Sequence, residues 1–100
     1  MIQTIDEYKI IENGEVVGEI ALWQYSNQKF PQIEYKVKLE HQNKGIMTRH
    51  LPIYLDRIKG FGKVLAVVME DNLISIKLLL ANGFKELGKI NNKRIFICEL

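Results

Sequence analysis

Only one cysteine, Cys98, occurs in 100 residues, so no disulfide can form within the chain and neither a CxxC pair nor a Cys/His zinc pattern exists. A reducing, cytoplasmic setting is the expectation. Proline is almost as scarce, with two residues, and no apolar run approaches the roughly 20 residues needed to cross a bilayer. The opening MIQTIDEYKI lacks the basic-then-apolar order of a signal peptide, so no membrane association is expected. Charge of one sign is missing too: 14 basic residues stand against 12 acidic, for a net +2. No block of like charge is long enough for a nucleic-acid arm, which leaves a small anionic ligand as the partner that mild positive charge suits.

What is present is a 47% hydrophobic chain, enough for one core and a single domain over residues 1–100. YKIIE at 8–12 and EVVGEIALWQ at 15–24 are rich in β-formers, and the Asn13-Gly14 pair between them predicts a two-residue hairpin turn. SNQKFPQ at 26–32 is a loop, and IEYKVKL at 33–39 alternates like a strand. From Gly45 to Lys59 the apolar spacing becomes helical, with Pro52 predicting a kink or loosened turn near 48–52. KVLAVVM at 63–69 reads as a central strand covered on both faces. Asp71 and Asn72 are suitable N-caps for LISIKLLLAN, a leucine-rich helix expected to be mostly buried and stopped by Gly83. FKELGKI and RIFICEL read as two closing strands joined around 91–93. The order β-β-β-α-β-α-β-β implies an α/β (α+β) fold: a mixed, mostly antiparallel sheet with a central parallel β-α-β pair.

HQNKGIMTRH, residues 41–50, places a helix opening at glycine after a strand and a short polar turn. Unpaired N–H groups and the positive end of the helix dipole then gather where a phosphate can bind, with Lys44 adding a full charge. The alternative is an ordinary strand-to-helix turn. A Walker loop is excluded, because position 40 is Glu40 and Ile46-Met47 follow Gly45. GFGKVL at 60–65 is no dinucleotide fingerprint, since Leu65 replaces the third glycine and the segment runs from helix to strand.

YKVKLEHQNKGIMTRHL and, after a buried strand, DNLISIKLLLANGFKELG resemble the two signature segments of the GNAT superfamily of acyl-CoA N-acyltransferases, especially the ribosomal-protein N-terminal acetyltransferase branch. Gln42, Gly45 and Met47 stand at the positions of the motif Gln/Arg-x-x-Gly-x-Gly/Ala, with Met47 replacing its small residue; Asn72, Gly83 and Phe84 match the second motif. The resemblance implies acetyl-CoA as cofactor. Gln42, Asn43, Lys44, Gly45, Ile46, Met47 and Thr48 would wrap its diphosphate. Tyr35, Lys36 and Val37 would line a slot for pantetheine on a strand that separates from 64–69, and Asn72, Ser75 and Lys77 would flank the far side.

The activity implied is acetyl transfer to a primary amine by direct attack on the thioester. The amine must lose a proton, and Glu34 is the first candidate base, followed by His41. Glu70 and Asp71 read as helix-start charges, and Trp23 and Tyr25 as packing residues or acceptor-side aromatics. Two departures from the family pattern matter. Leu79 stands where many members carry the tyrosine that protonates the leaving thiolate, and the strand and helices that usually precede the hairpin and wall the acceptor are missing. A homodimer could supply that wall. The alternatives are an acetyl-CoA-binding or regulatory module with little catalysis, and an interaction domain that binds no cofactor.

Overall fold

Asn13 and Gly14 take positive φ angles of 54° and 77°, as the hairpin turn requires. They join β1 (Ile2–Glu12) to β2 (Glu15–Tyr25) in a computed structural model that describes all 100 residues. The rest of the chain forms β3 (Gln32–Val37), α1 (Ile46–Arg57), β4 (Lys63–Met69), α2 (Leu73–Ala81), β5 (Lys85–Ile90) and β6 (Lys93–Glu99). The six strands make one mixed sheet in the order β1-β2-β3-β4-β6-β5, parallel only between β3 and β4. The expected element order and fold class hold.

Several boundaries differ from the sequence expectation. β1 begins at Ile2, six residues earlier than the pattern implied, because a register shift between Thr4 and Asp6 breaks its alternation while pairing continues to Ile2↔Tyr25. β3 ends at Val37: Leu39 is 82% exposed and starts a 3-10 turn, Leu39–His41, so its apolar character does not extend the strand. The helix runs unbroken through Pro52. Pro52 and Thr48 are both exposed, so the backbone bond lost at that proline falls on the solvent side, where water can satisfy the Thr48 carbonyl.

Directly opposed residues of neighbouring strands share a sheet face. Asp6, Tyr8 and Ile10 therefore stand with Leu22, Ile20 and Gly18, and those with Ile33, Tyr35 and Val37. Tyr54 of α1 donates to Asp6 at 3.0 Å, and the hydroxyl of Ser75 in α2 meets that of Tyr35 at 3.1 Å. Both helices thus cover this same face. The connections β3-α1-β4 and β4-α2-β5 advance in one direction across the sheet, so a fixed crossover hand places both helices on one side. The core lies between them and the sheet, with Leu51, Tyr54, Leu79, Phe96, Val64 and Ile20 fully buried. At Gly18 a Cβ would stand 2.6 Å from the Lys36 carbonyl oxygen and 3.3 Å from the Val37 Cα, so the glycine permits the close approach of β2 to β3.

Two burial expectations are overturned. β4 is central, but helices cover only its Val64 and Ala66 face; Leu65 and Val67 point to the other face and are half-buried. That second face carries Trp23, Leu65, Val67, Ile95 and Ile97 on one side and Glu7, Lys9, Glu19, Glu34 and Lys36 on the other. Apart from Ser75 and Lys77, α2 is apolar yet buries only Ile76 and Leu79; Leu73, Ile74 and Leu80 are 63%, 76% and 52% exposed. A helix on one side of a single-layer sheet has no second layer to bury its outer residues against.

Candidate functional site

β3 and β4 share a single register pair, Gln32↔Leu65, where the Leu65 N–H donates to the Pro31 carbonyl at 2.8 Å. Beyond it the strands diverge, and the facing edges of Ile33–Val37 and Ala66–Met69 have no ladder with each other. A groove of about 780 Å³ lies on the helix side of this opening. Tyr35, Lys36 and Val37 form its strand wall, and Gln42, Asn43 and Gly45 through Thr48 form one end. Asn72, Ser75 and Lys77 stand on the α2 side. No carboxylate lines the groove; Lys36, Lys77 and His41 do.

The turn entering α1 is built for exposed amides. Asn43 and Gly45 have φ angles of 64° and 71°, left-handed values that turn successive N–H groups toward a common concavity. No side chain caps the helix at Gly45, and the first amide to donate along it is that of Arg49, to the Gly45 carbonyl at 3.1 Å. The N–H groups of Asn43 through Thr48 therefore have no acceptor in the protein. The Gln42 side-chain Nε2 donates to the Val37 carbonyl at 3.2 Å and ties this turn to the end of β3. Ile46 and Met47 are 3% and 8% exposed, so the side chain of Met47 packs into the core instead of standing between backbone and groove.

Across the groove, Asn72 caps α2 by accepting from the Ser75 N–H at 3.2 Å. Burial pushes the Tyr35 hydroxyl above its usual range, against a smaller opposite effect from its Ser75 partner, so it remains a neutral donor at physiological pH.

Not every candidate joins the groove. Lys44 is absent from its walls; its carbonyl instead accepts from Arg49 at 2.9 Å. Glu34 lies on the opposite sheet face, exposed, with Oε1 3.5 Å from the Tyr25 hydroxyl. Burial first, and Glu34 second, raise the Tyr25 hydroxyl above its usual range. His41 lines the groove, but its Nε2 is 3.0 Å from Glu15. Glu70 pairs with Lys89, and Leu79 is wholly buried, facing the core.

Ile74, Leu78 and Ala81 also line the groove and were not among the sequence candidates. Their i, i+4, i+7 spacing along α2 was the available signal, masked by the largely apolar composition of that helix. On the open face, Trp23 Nε1 and Gln28 Oε1 are buried without a partner, close to the Gln32 at which β3 and β4 part.

No family model matches the sequence, and a search of curated proteins finds no match. Solved structures do match. Ribosomal-protein-S18-alanine N-acetyltransferase from Escherichia coli is similar at TM-score 0.79 and 15% identity, over 96% of this chain and 68% of that one. The fold is that of the GNAT acetyltransferases. Ribosomal-protein-S5-alanine acetyltransferase from Vibrio fischeri shares the GNAT fold at TM-score 0.74 and 20% identity, over 86% of this chain and 55% of that one. A domain from Methanocaldococcus jannaschii matches at TM-score 0.77 and 26% identity, over 94% of this chain and 66% of that one. The chain thus spans only about two thirds or less of the length of these structures.

Proposed function

We propose that this chain is an N-acetyltransferase that moves an acetyl group from acetyl-CoA to a primary amine by direct attack. The observation that carries this reading is the carboxylate-free groove running from an amide-rich turn to an unzipped strand edge. An extended molecule with a diphosphate at one end and peptide-like amides along its arm matches that order of features. The groove fits the group, and acetyl-CoA bound there would supply an activated thioester carbonyl.

The chain's residues divide the work by position. The free N–H groups of Asn43–Thr48, with Gln42 and Lys44 nearby, hold diphosphate. The open edge of Tyr35, Lys36 and Val37 pairs with the pantetheine amides and offers an N–H to the oxygen that gains charge during attack. Asn72, Ser75 and Lys77 flank the arm, with Ile74, Leu78 and Ala81 giving apolar contact. Glu34, on the opposite sheet face, takes the proton that the attacking amine must lose, which brings the acceptor in from the side without helices. A second copy laid over that face is the homodimer that would wall the acceptor. A single domain working in a reducing cytoplasm completes this reading; no helix is long and apolar enough to cross a membrane.

Titration with acetyl-CoA under a thermal-shift readout is the test. A ligand selective for the folded state raises the melting temperature by mass action, and release of free thiol with a panel of amines then reports transfer. No shift at millimolar acetyl-CoA would end the proposal. A shift without thiol release would leave an acetyl-CoA-binding module, the reading favoured by a leucine at position 79, which cannot donate a proton.

A further inference from the structure

The peptide unit between Lys44 and Gly45 is held from outside the groove. Arg49 Nη1 donates to the Lys44 carbonyl at 2.9 Å, and Arg49 Nη2 lies 2.9 and 2.8 Å from the two carboxylate oxygens of Glu12. Glu12 is the last residue of β1, directly before the hairpin turn, and also takes His50 Nε2 at 3.1 Å. A trans peptide points its C=O and N–H in opposite directions. Fixing the Lys44 carbonyl on the outer side therefore fixes the Gly45 N–H toward the groove, and a cationic donor on that carbonyl polarises the peptide so that its N–H is a stronger donor.

We propose that Arg49, anchored by Glu12, is the positioning residue of the anion turn: it touches no ligand and sets the direction and strength of the Gly45 amide for the diphosphate. The inference rests on the acetyl-CoA reading above. Gly45 gains a second reason to be glycine, since a Cβ there would stand 3.3 Å from Arg49 Nη1 and crowd the brace. Glu12 keeps the guanidinium from swinging into the groove as a mobile charge; its carboxyl is held below the usual range chiefly by the Arg49 hydrogen bond and then by that of His50. The hairpin end and the anion turn are thereby one unit, although 37 positions separate Glu12 from Arg49.

The test compares the full chain with Arg49→Ala, Arg49→Lys and Glu12→Gln, using acetyl-CoA and acetyl-pantetheine, which lacks the diphosphate, as probes in thermal-shift titrations. Arg49→Ala should weaken acetyl-CoA about tenfold or more and leave acetyl-pantetheine within about twofold. Arg49→Lys should recover part of the loss, because a lysine keeps the charge but not the fork that spans both acceptors. Glu12→Gln, which keeps shape and removes the anchor's charge, should fall between wild type and Arg49→Ala and serves if Arg49→Ala does not fold. Equal weakening of both probes, or unchanged acetyl-CoA affinity in a folded Arg49 or Glu12 variant, would overturn the brace while leaving the acetyl-CoA reading intact. A wild-type chain that binds neither probe would overturn both.

Discussion

The hydroxyl of Tyr35, on β3, stands 3.1 Å from the hydroxyl of Ser75, on α2. With β3 and β4 joined by one register pair, this contact links the β1-β2-β3 half of the sheet to the half that carries α2, across the mouth of the groove. Tyr35→Phe keeps the ring packed and removes the link, so a modest loss of stability, about 1 kcal/mol, is expected. The effect should concentrate on one element. Amide exchange in the first turn of α2, around Ser75 and Ile76, should accelerate more than exchange in α1, and uniform acceleration across the sheet would count against a local bridging role.

Asp6 ties β1 to α1. Its carboxylate accepts from Arg57 at 3.0 and 2.9 Å and from the buried hydroxyl of Tyr54 at 3.0 Å. The Arg57 hydrogen bond is the largest cause holding the Asp6 carboxyl below its usual range, against some burial that raises it. A depressed acid contributes stability that is present above its unfolded pKa, near 4, and is lost as pH falls through the lower folded value. Tyr54 runs the other way: burial first, then Asp6, raises it, so its contribution is complete below about pH 10 and lost as pH climbs toward the folded value. Asp6→Ala orphans the Tyr54 hydroxyl and should cost about 1–3 kcal/mol, flattening the acid limb of a melting-temperature profile. A profile that keeps its acid limb in Asp6→Ala would assign that limb to other carboxylates.

The local chemistry of the chain was readable where a residue acts through its own backbone: Asn13-Gly14 as a hairpin turn, Gly45 as the entry to α1, Asn72 as a cap. Burial was less readable, because it depends on how many layers the fold has. KVLAVVM and LISIKLLLAN look alike whether one or two layers of helix flank the sheet, and only the topology shows that both helices share a face. Ile74 illustrates the consequence, being apolar, 76% exposed and part of the groove wall. Ile74→Asp should leave stability within about 0.5 kcal/mol yet weaken acetyl-CoA binding severalfold by setting an anion beside an anionic ligand. Denaturant unfolding and a binding titration on the same sample separate the two effects; a large stability loss would make Ile74 a packing residue.

Glu34 lies on the sheet face away from the groove, and this placement yields a prediction that divides binding from chemistry. Under the proposed function, an amine arriving beside Glu34 would reach a thioester carbonyl lodged from the helix side through the strand opening beyond Gln32↔Leu65. Glu34→Gln is isosteric, cannot accept a proton, and removes no groove contact. A general base contributes about 100-fold or more, so kcat should fall by at least that factor while the acetyl-CoA-induced thermal shift stays the same. The loss should shrink at alkaline pH, where more of the amine is already neutral. A thermal shift lowered together with kcat would place Glu34 in cofactor binding, and an unchanged kcat would pass the proton to water or His41.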